Sequence, residues 1–134
     1  VKVHDLLGAV DLLGRAGSVS LARVYVRGLL MAAGRTGTDD VELLVGELVA
    51  NAVAHSASGR RPGGVVNLKV YDDGKSVRVE VVDEGAPGGI PVVPVQVDPL
   101  SEGGRGLWLV RELSSAWGWA DHGGGRTVWF EVTP

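Results

Sequence analysis

Two short runs, residues 65–71 and 76–82, are rich in β-branched side chains and flank the sequence Asp72-Asp73-Gly74-Lys75. The second alternates without a break, with Val77, Val79 and Val81 set against Arg78 and Glu80. A period of two with a Gly-containing turn between the runs predicts a β-hairpin. Whatever else the chain does, it must accommodate this pair of strands.

The segments on either side read differently. Residues 38–40, Thr-Asp-Asp, place a capping hydroxyl and two acids where a helix dipole favours them. The stripe that follows, Val41, Leu44, Val45, Leu48, Val49 and Ala52, has helical spacing. An earlier helix is predicted from a cap at Ser18 or Ser20 to about residue 33, with Leu21, Val24, Gly28, Leu29 and Ala32 on one face and Gly34 and Gly37 ending it. Residues 1–17 carry Leu6, Leu7, Val10 and Leu13 at near-helical intervals and read as a helical N-terminal extension, so the main domain is expected over 18–134. Residues 56–64 are a loop by composition.

Residues 84–104 hold four prolines and no sustained periodicity. A loop of that length within a compact domain points to a lid or binding loop. Leu107, Val110 and Leu113 then mark a helix, residues 117–120 a strand, 121–125 a turn and 126–132 a closing strand. This order predicts an α+β fold: a two-layer sandwich with a mostly antiparallel sheet and helices on one face.

Composition narrows the function. The chain has 134 residues, 45% of them apolar, which is enough for one domain with its own core. It has no cysteine, hence no disulfide framework or thiolate zinc site. The net charge of −3, with no basic run longer than Arg60-Arg61, disfavours nucleic acid as the main partner. No apolar stretch approaches the roughly 20 residues of a membrane span, and no signal-peptide pattern opens the chain, so a cytoplasmic protein is expected. A start at Val1 rather than Met reads as a trimmed or excised domain.

Four segments carry candidate chemistry. In ELVANAVAH (47–55), Glu47 and Asn51 are four apart at the edge of the apolar stripe, with His55 one turn on. They read either as surface residues or as a carboxylate base beside an amide oxygen that ligates a metal. In VVDEGAP (81–87), Asp83 follows an apolar strand and Gly85 comes two later. Asp83 is either the head of an Asx turn or an acceptor for the exocyclic amine of a purine. In SEGGRGLWLV (101–110), three glycines surround Arg105 just before a helix. They form either a flexible joint or an anion site at a helix N-terminus. No Lys-Ser or Lys-Thr follows, so this is no Walker loop, and it makes a poor dinucleotide fingerprint. In GGGRTVWFEV (123–132), Thr127 opens an apolar strand, where a hydroxyl is ordinarily solvated or cross-strand bonded.

In this order the four segments resemble the ATP-binding fold shared by gyrase, heat-shock chaperones and sensor histidine kinases, the Bergerat fold. The chain looks most like its small bacterial branch, the anti-sigma-factor serine/threonine kinases, from about residue 18 to the end. The resemblance implies that Asn51 coordinates Mg²⁺ on the ATP phosphates and that Glu47 is the general base. It implies that Asp83 binds the adenine amine, with Gly85 against the ring. Gly104, Arg105, Gly106 and Leu107 would offer N–H groups to the phosphates, and Thr127 would support the adenine end. His55 would either line the phosphate side or complement a helix C-terminus. Members of the branch begin with a short strand before the first helix, whereas residues 1–17 read as helical here.

The implied function is an ATP-dependent serine/threonine protein kinase that phosphorylates an anti-sigma antagonist, binds a sigma factor and so regulates transcription. A homodimer is a family expectation. The alternatives are a non-catalytic ATP-dependent binding switch and the catalytic domain of a larger sensor kinase.

Overall fold

The computed structural model of the chain describes residues 5–85 and 105–133. The elements, in order, are β1 (Asp5–Leu13), α1 (Ser18–Ala32), α2 (Asp39–His55), a single 3-10 turn (Ala57–Gly59), β2 (Val65–Asp72), β3 (Val77–Asp83), α3 (Arg105–Leu113), β4 (Ala116–His122) and β5 (Gly125–Val132). The strands form one sheet in the order β1-β2-β3-β5-β4, and every neighbouring pair is antiparallel. The expected α+β sandwich is what the chain forms. Apart from Glu84 and Gly85, the lid expected over 84–104 lies outside the described residues.

The hairpin stands where its alternation put it. Val66, Leu68 and Val70 of β2 and Val77, Val79 and Val81 of β3 are buried on one face. Phe130 and Val132 of β5 extend that face. Ala22, Val26 and Leu30 of α1, the whole predicted stripe of α2, and Val110 of α3 close over it as one apolar cluster. Side chains on the opposite face are only partly covered and satisfy each other. The Arg78 guanidinium pairs with Glu80 at 3.0 Å and Glu131 at 3.4 Å, and lies 4.1 Å from the centroid of the Trp129 ring.

Three local readings change. Residues 5–13 are an edge strand and not a helix. The reason is a β-bulge: Leu6 pairs with Tyr71 and Gly8 with Val70, which leaves Leu7 as an extra residue. The extra residue breaks the period of two and leaves apolar residues at intervals that mimic a helix. Gly8 also lets the strand approach α1, since a side chain there would collide with Tyr25 and Leu29.

On α1 the buried positions are Ser18, Ala22, Val26 and Leu30. Leu21 and Val24, placed on the core side by the pattern, are 57% and 62% exposed. This helix is apolar on two opposite sides, so spacing alone does not say which one packs. The cap position is Gly17, and the Ser18 hydroxyl instead donates to the Leu13 carbonyl at 2.5 Å, fastening helix to strand. The far end stops as predicted, at Gly34, with the Arg35 N–H donating to the Leu30 carbonyl as in a Schellman motif.

On α2 the Thr38 hydroxyl does not cap the backbone; it donates to Glu42 at 3.3 Å. The acids Asp39, Asp40 and Glu42 do occupy the first turn. Beyond α1, Arg35 grips Asp72 at the end of β2 with two hydrogen bonds, 2.8 and 2.5 Å, at a largely buried position. The paired guanidinium holds the Asp72 carboxyl below the usual carboxylate range.

Candidate functional site

Helix α2 is the centre of the helical layer and packs on both α1 and α3. Its α1 side is marked by Gly46, against which the Arg23 side chain lies. Glu47 and Asn51 fall roughly 120° further round the helix, on the flank towards α3. Both are half-buried, and His55 is exposed in the last turn, where a helix C-terminus favours a base. The three residues therefore share one flank, as their spacing required. The Asn51 carboxamide makes no hydrogen bond among the described residues, so its oxygen is available as a ligand.

The end of β3 is tied to the end of α2. The Ala57 N–H donates to the Gly85 carbonyl at 2.7 Å. The Ser58 hydroxyl accepts from the Glu84 N–H at 2.9 Å and donates to the Val65 carbonyl at 2.6 Å. The Glu84 carboxylate accepts from the Val65 N–H at 2.6 Å and from Arg61 at 2.7 Å, and these bonds hold it below its ordinary range. Asp83 and Gly85 are thereby fixed next to the C-terminal turn of α2.

Asp83 accepts from the Gly85 N–H at 2.6 Å through Oδ1, closing an Asx turn. Both readings of this residue stay compatible, because Oδ2 is not used by that bond. Burial pushes its carboxyl above the usual carboxylate range; the Gly85 bond and the Arg126 charge pull it partly back, while Asp121 and Glu84 oppose them. A half-buried acid with a perturbed carboxyl at a strand end is a candidate functional position. Gly85 has φ +80°, a left-handed conformation that a side chain resists, and a Cβ there would point at the Gly124 carbonyl.

Arg105, Gly106 and Leu107 are the first three residues of α3. The first turn of a helix has N–H groups without intrahelical acceptors, so these positions can face an anion. Gly104 lies outside the described residues.

Thr127 is not brought to Asp83. Cross-strand partners share a face, and Thr127 is opposite Val82, while Asp83 is opposite Arg126. Thr127 therefore stands on the far side of the sheet, where its hydroxyl is 2.7 Å from His122 Nε2. The inward position belongs to Arg126, which is 9% exposed, and it was missed. The signal was present in the closing strand: Val128, Phe130 and Val132 point inward, so 126 must as well. The intervening Trp129 made the run apolar throughout and hid the alternation.

The site joins an acceptor carboxylate and a left-handed glycine at a strand end, a helix flank with an acid and an amide, and a helix start. Among the described residues no three His, Asp or Glu side chains converge as a metal cage. The oxygens present suit a hard cation that keeps most of its bonds to water and phosphate. No described helix is long and apolar enough to cross a membrane.

A solved structure of similar shape is that of the RsbU and RsbW domains of Rv1364c from Mycobacterium tuberculosis. It matches with a TM-score of 0.64 and 21% identity over 94% of this chain, and this chain spans 32% of that one. No curated protein matches. The model of the histidine kinase-like ATPase domain matches residues 14–132, nearly the whole length, and the chain belongs to that family.

Proposed function

We propose that the chain binds ATP with Mg²⁺ and transfers the γ-phosphoryl group to a serine or threonine of an anti-sigma antagonist, regulating transcription with a sigma factor as its second partner. The observation that carries the nucleotide reading is Asp83: a half-buried acceptor at a strand end, beside a glycine whose backbone leaves room for a ring. It sits at the foot of the helix flank that carries Glu47 and Asn51.

In this reading Asp83 accepts from the exocyclic amine, and the first N–H groups of α3 face the phosphates with Gly104. Asn51 supplies an oxygen to Mg²⁺, which neutralises phosphate charge when bound. Glu47 takes the proton of the attacking hydroxyl as that oxygen bonds to the γ-phosphorus and ADP leaves. His55 stands a turn beyond Asn51, in the last turn of α2, beside which Asp83 and Gly85 are fixed. Phosphoryl transfer depends chiefly on positioning and charge neutralisation, so this short list of groups suffices. Support for the protein substrate comes from the motif resemblance and from the RsbW domain of the structural neighbour.

The test is incubation with labelled ATP, Mg²⁺ and candidate antagonists. Label on an antagonist serine or threonine is expected. ATP binding without transfer to any antagonist would replace the kinase with an ATP-dependent binding switch.

A further inference from the structure

We infer that Arg126 is a specificity-determining residue of this nucleotide site: its guanidinium donates to ring nitrogen N1 of the purine whose 6-amino group Asp83 accepts. The inference rests on the nucleotide reading of Asp83 given above and extends it to a residue that neither the motif resemblance nor the family match assigns.

Register places it. Asp83 of β3, Arg126 of β5 and Asp121 of β4 are directly opposite one another across three strands. They form an acid–base–acid row on the helix-facing side of the sheet, at the end where β3 meets α2. A buried guanidinium is costly unless paired, and here it has a carboxylate on each side. Arg126 Nε donates to Asp121 Oδ1 at 2.8 Å, and the guanidinium lies 5.8 Å from the centroid of the Trp119 ring. These two contacts orient the planar fork. The Nη groups make no hydrogen bond among the described residues and remain to be offered.

The chemistry selects the base. The edge of adenine presents a donor, the 6-amino group, next to an acceptor, N1. Asp83 and Arg126 present an acceptor next to a donor. Guanine in the same pose presents a carbonyl oxygen to Asp83 and an N–H to Arg126, and both contacts become repulsive. An arginine is also a fixed cation with several donors in one plane, so it holds this pairing without an intervening water.

The test is titration calorimetry of the full chain with ATP, GTP and 1-deaza-ATP, in which a C–H replaces N1. The wild type is expected to bind 1-deaza-ATP about 10- to 100-fold more weakly than ATP, the range for a hydrogen bond from a charged donor, and to discriminate against GTP. In R126M, ATP and 1-deaza-ATP are expected to bind alike. Equal binding of the two by the wild type overturns the proposal, and this arm stands whether or not R126M folds. Undiminished discrimination by a folded R126M overturns it too. In either case ATP binding that depends on Asp83 would leave the nucleotide site intact. Failure of the wild type to bind ATP at all removes that site and this assignment together.

Discussion

The two ends of the candidate site are built differently. At the base end nearly every polar group is already engaged: Asp83 with the Gly85 N–H, Arg126 with Asp121, Glu84 with Val65 and Arg61, Ser58 with two backbone groups. Further along α2 from that end, Asn51 makes no hydrogen bond among the described residues. In the proposed reading the base end is a preformed template, whereas on the α2 flank the Asn51 carboxamide is left to be completed by what binds. Preorganised contacts set affinity and selectivity. Groups that engage only around the reacting phosphate set rate and metal dependence.

The largest effect should therefore come from the phosphate end and appear in rate alone. Glu47→Ala is expected to slow phosphotransfer about 10²- to 10⁴-fold, the range for a lost general base, while ATP still binds by calorimetry. Full turnover in that variant would erase the contrast between the ends.

A smaller effect, with opposite signs in two measurements, is expected at the base end. Asp83→Asn should weaken ATP binding about 10-fold or more, as a charged acceptor is lost. The same substitution should raise the melting temperature of the free protein at neutral pH. The folded-state pKa of Asp83 is raised, so its contribution to stability is present below the unfolded value and is lost as pH rises through the folded value. Once ionised, the carboxylate carries the cost of burial that a neutral Asn does not. For the same reason wild-type affinity for ATP should begin to fall on acidification above the ordinary Asp value of about 3.9. Asp83→Asn should flatten that dependence. A binding profile that is already flat in the wild type would mean that Asp83 does not face the base.

The smallest effect concerns the metal. Asn51→Ala should bind ATP equally with and without Mg²⁺, while the wild type binds more tightly with it. Equal Mg²⁺ dependence in both proteins would move the cation away from α2.

What could be read from the chain follows the same physics. The hairpin and α2 were legible because each has one apolar side: Val77, Val79 and Val81 can only point inward, and the α2 stripe has no rival face. Asp83 and Gly85 were legible as an Asx turn at a strand end, which is what they form, and only the order of the four motifs pointed beyond it. Where two solutions share a pattern, reading failed. The extra residue at Leu7 turned strand spacing into helical spacing. Helix α1, with Leu21, Val24 and Met31 exposed and Ala22, Val26 and Leu30 buried, offered two apolar faces. In β5 the exchange of Thr127 for Arg126 at the inward position is a shift of one residue, invisible until the partner strand supplies a register.

The Arg35–Asp72 clamp has a consequence for how the molecule meets acid. It closes the end of β2 opposite to the one where Asp83 lies, and its carboxylate stabilises the fold only while ionised. Falling pH thus loosens one rim of the sheet, as Asp72 takes up a proton and lets Arg35 go, and relaxes the other, where a proton relieves the strain on Asp83. The sheet is polarised along its strands, and acid unfastens it from the rim remote from Asp83.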